Sequence, residues 1–184
     1  MQLSTLPTDS SRAHRVLAVD PALRSTGLAV LDGRRHRGLS VLELSARIVV
    51  PVRFKAGAAQ LEAARLTAAW LAAASDLPRT WIVENPALPA GAVPDGWRSR
   101  DALAFVRGLW VMAAALRCAT VIVVPANQWQ GYYSILRLRR KQRLAALKSL
   151  AYTLGYGALD CDRAAAVLLG HYWLAKEGTC SPSP

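Results

Sequence analysis

The order of apolar segments in this 184-residue chain predicts an α/β domain, a mixed five-stranded sheet flanked by helices. Three observations carry that reading. Three short β-prone runs come first and in succession, segments of helical and strand character then alternate, and 53% of the residues are apolar, enough for one buried core. The length leaves no room for two large domains.

Val16 to Val19 is an apolar run ending in Asp20, and Thr26 to Leu31 is a second that ends at the turn signal Asp32-Gly33. A third run, from about Val41 to Val52 with a bend near Ser45 to Arg47, completes an antiparallel meander. Ala56 to Ser75 is Ala-rich with Leu61, Leu66, Trp70 and Leu71 at helical intervals, and Leu77-Pro78 ends that helix. Thr80 to Val83 is a short buried strand terminating on Glu84. Asn85 to Ser99, with three Pro and two Gly, reads as a loop, and Ser99 or Asp101 caps a helix that runs to about Arg117. Thr120 to Val124 is a buried strand stopped by Pro125. Leu138 to Leu154 is an amphipathic helix with its bases on the outer face, and a last helix runs from about Asp162 to Lys176. Residues 1–14 form a flexible polar leader, residues 15–177 the folded domain and residues 178–184 a disordered tail.

Composition narrows the class of function. The leader lacks the apolar middle of a secretory signal, and the richest apolar run, Ala102 to Ala126, is interrupted by Arg107 and Arg117, so neither export nor a membrane span is expected. The expected location is the cytoplasm. Cys118, Cys161 and Cys180 contain no CxxC pair, which argues against a disulfide framework or a cysteine zinc site. The formal net charge is +11, and no acidic residue occurs between Asp101 and Asp160, where Arg107, Arg117, Arg137, Arg139, Arg140, Lys141, Arg143 and Lys148 all fall. Such a stretch suits a polyanion such as nucleic acid, and it also suits a solvated face.

Three carboxylates stand at element ends. Asp20 and Glu84 close the first and fourth strands, and Asp162 opens the last helix. A carboxylate at a strand end is held rigidly and remains reachable, which suits Mg²⁺, although such residues are also common caps and turn formers. In this sheet the first and fourth strands can be neighbours. The three carboxylates together would hold two metals about 4 Å apart, an arrangement suited to phosphodiester hydrolysis.

Val16-Leu17-Ala18-Val19-Asp20-Pro21, followed by Ser25-Thr26-Gly27-Leu28-Ala29-Val30, resembles the first motif of the RuvC-type Holliday junction resolvases of the ribonuclease H-like superfamily. Trp81-Ile82-Val83-Glu84-Asn85 and Asp160-Cys161-Asp162-Arg163-Ala164-Ala165-Ala166-Val167-Leu168-Leu169-Gly170 resemble the second and last motifs, in the same order. The resemblance implies a ribonuclease H-like fold. It also implies a Mg²⁺- or Mn²⁺-dependent endonuclease with two ions per site, a four-way DNA junction as substrate and a homodimer. Asp20 would bridge both metals, Glu84 would complete one side and Asp162 would supply the helix carboxylate. The family's second helix carboxylate falls here on Ala165, so Asp160 is the candidate substitute, with an ordinary N-cap as its alternative. His171, nine residues beyond Asp162, lies about 180° round the helix and is set aside.

For DNA, the resemblance places Lys141, within Arg139-Arg140-Lys141-Gln142-Arg143, at the family's basic helix start. Gln130 stands at another basic family position, and Arg137 is its candidate replacement. Trp97 and Arg100 lie in the loop where the family carries a wedge near the branch point, and Tyr132 and Tyr133 are weaker candidates for that part. Gly108 would permit close helix approach at a dimer interface or inside one subunit. The competing reading is a catalytically impaired branched-DNA binder on the same fold, with Ala165 as the trace of lost chemistry.

Overall fold

The computed structural model describes residues 15–36, 39–85 and 96–179, with side chains throughout except at 34–36, 39, 56, 96–100 and 177–179. The elements follow the expected order with one addition. They are β1 (Arg15–Asp20), β2 (Ser25–His36), β3 (Leu39–Val49), α1 (Ala56–Ala73), β4 (Thr80–Asn85), α2 (Gly96–Leu116), β5 (Thr120–Pro125), α3 (Ala126–Tyr132), α4 (Arg140–Thr153) and α5 (Cys161–Thr179). The five strands form one sheet in the order β3-β2-β1-β4-β5. β1, β2 and β3 pair antiparallel, while β4 lies parallel to both β1 and β5.

Strand periodicity divides the core into two layers. Val16 and Ala18 of β1, Ala29 and Leu31 of β2, Ile82 of β4 and Val124 of β5 pack against α3, α4 and α5. The intervening residues, Leu17, Val19, Leu28, Val30, Trp81 and Val83, pack on the opposite face against Val106, Trp110, Ala113 and Ala114 of α2, with Leu66, Trp70 and Leu71 of α1 behind them. β1 is buried on both faces, which is why Val16 to Val19 is apolar without interruption. Each fully buried Leu or Val contributes roughly 1.5–3 kcal/mol of burial free energy.

Beyond shifts of up to three residues at other element ends, such as β3 stopping at Val49 and not near Val52, three features differ from the sequence reading. Asp32-Gly33 is not the end of β2; the strand runs on to His36, with register shifts in its pairing to β3 after Val30 and after Asp32. The sheet-edge ladder with β3 and the burial of Asp32 override the local turn preference. α2 begins at Gly96, inside the segment expected to be loop. The seven-residue α3 starts directly after Pro125 and has no counterpart in the sequence reading. Of the proposed termini, residues 1–14 and 180–184 lie outside the described residues, and α5 extends to Thr179.

Candidate active site at the carboxyl ends of β1 and β4

Asp20 and Glu84 each stand one step beyond the paired residues Val19 and Val83, so the parallel register brings them side by side. Alternation turns both toward the α5 face, the face that Ala18 and Ile82 occupy two residues earlier. Glu84 is buried, and the indole Nε1–H of buried Trp129 donates to its Oε1 at 3.0 Å. Burial above all, then the charge of Glu84, a hydrogen bond with Glu84 and the charge of Asp162, hold the Asp20 carboxyl well above the usual carboxylate range. Among the described residues neither Asp20 nor Glu84 has a lysine or arginine partner.

Asp162 reaches the same end of the sheet because of a glycine. Gly27 pairs with Asp20 across β1 and β2, and the start of α5 lies so close above it that any Cβ at this position would fall inside the Asp162 carbonyl. Asp162 is in the first turn of α5, where the helix dipole favours its charge. Ser25 Oγ donates to Asp162 Oδ2 at 2.5 Å. Arg47, the β3 residue opposite Gly27, places Nη1 3.6 Å from Asp162 Oδ2 and 3.8 Å from Asp160 Oδ2.

Asp160 takes the capping position. Its Oδ1 accepts from the Arg163 backbone N–H at 3.0 Å, and its Oδ2 accepts from Arg163 Nε at 2.8 Å. Burial alone would raise the Asp160 carboxyl, but the hydrogen bonds and charge of Arg163, with Arg47 behind them, outweigh it and leave it lowered. Ala165 is buried and offers no oxygen. The structure therefore brings Asp20 and Glu84 together with Asp162 nearby, and commits Asp160 to Arg163. Among the described residues no group of three or more His, Cys, Asp or Glu side chains is gathered closely enough to hold one metal ion.

The basic helix adjoins this site through α3. Gln130, next to the Trp129 that holds Glu84, accepts from Arg143 Nη1 at 3.3 Å. Arg139 caps α4, with its backbone N–H donating to Gln142 Oε1 at 3.2 Å, and Arg139, Arg140 and Lys141 are exposed, as is Arg137 just before them. No acidic residue occupies the first turn. Bases at the positive end of a helix are electrostatically unfavourable unless an anion joins them. Trp97 lies in the first turn of α2 and Arg100 at the start of the second, and their side chains are outside the described residues.

Tyr133 turns inward, its hydroxyl 2.6 Å from His171 Nδ1, so of the two tyrosines only Tyr132 is exposed. His171 is half-buried there, away from the carboxylates as expected, and burial lowers its pKa. Gly108 is exposed and a side chain there would meet nothing within this chain. The sequence reading did not single out Trp129 or Arg47 as site residues, and Ser25 and Gly27 were seen only as parts of a motif. The indole donor after Pro125 and the strand position opposite Gly27 were their only signals.

A mixed sheet in the order β3-β2-β1-β4-β5 with helices on both faces is the ribonuclease H-like architecture. Among solved structures the chain is similar to RuvC of Thermus thermophilus in complex with Holliday junction substrate, with a TM-score of 0.60 and 15% identity over 90% of this chain and 97% of that one. A second Thermus thermophilus RuvC structure gives a TM-score of 0.58 at 17% identity, with the same coverage. The yeast mitochondrial Holliday junction resolvase gives 0.53 at 9% identity, covering 93% of this chain and 83% of that one. No protein-family model and no curated protein sequence matches the chain. The fold expected from the motifs is thus the fold observed. No helix among the described residues is long and apolar enough to cross a membrane.

Proposed function

We propose that this protein is a divalent-metal-dependent, structure-selective endonuclease that nicks four-way DNA junctions as a homodimer. The observation that carries this reading is the Asp20–Glu84 pair, two carboxyls packed together at the ends of adjacent parallel strands without a basic partner among the described residues. The fold shared with junction resolvases supports the choice of substrate.

The donor set fits a hard divalent cation on the Asp20 and Glu84 side. Like charges crowded in a partly desolvated place favour either a bound proton or a bound cation, and all the ligands offered are oxygens. Asp20 and Glu84 would hold the ion, with Asp162 facing it from α5. Mg²⁺ or Mn²⁺ bound there supplies water activation and charge stabilisation for phosphodiester hydrolysis. In that reaction a water oxygen joins phosphorus and the bond to the 3′ oxygen breaks, leaving 5′-phosphate and 3′-hydroxyl ends. Trp129 fixes the Glu84 carboxylate, and Ser25 fixes Asp162.

The exposed bases at and just before the start of α4, Arg137, Arg139, Arg140 and the central Lys141, with half-buried Arg143 behind them, bind strand phosphates beside the carboxylates. Trp97 and Arg100, at the start of α2, are assigned to the branch point. The pairing of subunits rests on α2, where Phe105, Met112 and Leu116 are exposed at helical spacing around Gly108. Two sites related by a two-fold axis would answer the symmetry of a four-way junction.

A second reading, a junction binder with impaired chemistry, is favoured by buried Ala165 and by the commitment of Asp160 to Arg163. A cleavage assay separates the two. A labelled synthetic junction and a linear duplex of the same sequence are incubated with Mg²⁺, Mn²⁺ or chelator, using wild type and Asp20→Asn. Nicks confined to the junction, absent with chelator and with Asp20→Asn, support the nuclease; tight junction binding without nicks in either metal supports the binder.

A further inference from the structure

The two halves of the acidic site are neutralised differently. On the β4 side Asp20 and Glu84 have no guanidinium or ammonium among the described residues. On the β3 side Asp162 and Asp160 share Arg47, while Asp160 also holds Arg163 and Asp162 also holds Ser25. The strand register explains the division. Asp20, Gly27 and Arg47 form a row across β1, β2 and β3, and Gly27 has no side chain, so the start of α5 settles over it and lowers Asp162 between Asp20 and Arg47.

We infer that Arg47 is the resident cation of the α5 half of this site, so that the chain loads one divalent ion, at Asp20 and Glu84, in place of the two that the motif resemblance implies. The inference rests on the nuclease reading and specifies its metal content. A second ion on the α5 side would need oxygens that the structure has otherwise committed. Asp162 is engaged by Ser25 and Arg47, Asp160 is engaged by Arg163, and the position one helical turn on is the buried methyl of Ala165. A second ion would also meet the guanidinium charge directly. Arg47 keeps 41% of its side-chain surface open and contacts the two carboxylates through Nη1 at 3.6 and 3.8 Å. Both contacts run through Nη1, and the three N–H donors on Nε and Nη2 are suited to a phosphate oxygen of the cleaved strand. The missing acidic residue at position 165 and the arginine at position 47 are then two sides of one exchange, in which a side-chain cation takes the part of an ion.

Counting ions tests this without reference to turnover. Mn²⁺ alone is titrated into the full chain, and bound metal per chain is read by calorimetry and by the loss of the free Mn²⁺ paramagnetic signal. Thermal unfolding checks that each variant is folded. The expected counts are one for wild type, none for Asp20→Asn, one for Ala165→Asp, where Arg47 still holds the charge, and two for Arg47→Met combined with Ala165→Asp, which removes the guanidinium and supplies the missing carboxylate. Two ions in wild type, or one in the folded double variant, would overturn the inference and leave the nuclease reading standing. No ion in any variant would overturn both.

Discussion

The indole N–H of Trp129 and the carboxylate of Glu84 meet at 3.0 Å inside the protein, joining the helix that follows β5 to the end of β4. The neighbouring Gln130 receives Arg143, so one short helix fixes a carboxylate with one residue and a base of α4 with the next. An outer partner of a metal-binding carboxylate typically affects metal affinity or activity about 10- to 100-fold. Trp129→Phe keeps a ring and removes the donor. We predict that the Mg²⁺ concentration for half-maximal nicking rises about 10-fold, while junction binding in chelator is unchanged. Loss of both together would assign Trp129 to packing alone.

Asp20 gives the site a characteristic pH signature. Its carboxyl titrates above its unfolded value because of burial and the charge of Glu84, so the native state binds a proton that the unfolded chain has already released. The stability contribution of this group is therefore greatest at low pH, and it declines as pH rises from the unfolded value, near 3.8, through the raised native one. Asp20→Asn removes the penalty. At pH 7 it is expected to raise Tm while abolishing nicking, and the gain should vanish near pH 4. A lower Tm for this variant at pH 7 would contradict the account.

Gly27 is required by the approach of α5. A methyl group there overlaps the Asp162 carbonyl, and backbone cannot move aside as a flexible side chain can. Gly27→Ala is expected to cost roughly 1–3 kcal/mol in urea unfolding. It should also abolish nicking, because the start of α5 carries Asp162. Full activity in this variant would mean that Asp162 takes no part.

The basic start of α4 should show opposed effects on stability and binding. Lys141 lies at the positive end of the helix with no acid in the first turn. Lys141→Glu is expected to stabilise the protein by about 0.3–1 kcal/mol. Junction affinity should fall, and the slope of log K against log salt should shrink by about 1. An unchanged salt slope would place the DNA elsewhere.

Much of this was legible in the sequence. Val16 to Val19 and Trp81 to Val83 are uninterrupted apolar runs because both strands are covered on two faces, and that burial is what makes the closing Asp20 and Glu84 conspicuous. The N-cap alternative for Asp160 was visible from its place before α5, and the hydrogen bonds from Arg163 show that geometry. Three features were not legible, each for its own reason. α3 is a single short helix of polar and aromatic residues, too brief for periodicity to register. The Asp32-Gly33 pair carries a local turn preference that the edge pairing of β2 with β3 overrides. Arg47 acquires its partners only through two successive antiparallel registers and a glycine, a relationship among residues far apart in the chain.

A pair of these sites, acting together, would nick a junction on opposing strands. The most direct measurement uses a supercoiled plasmid that extrudes a cruciform, treated with the protein and Mg²⁺ and analysed for topology over time. Two nicks made within the lifetime of one complex convert supercoiled plasmid to linear product without accumulation of nicked circle, and that is the result this account predicts. Plasmid that remains supercoiled while the protein is bound at the cruciform would contradict it.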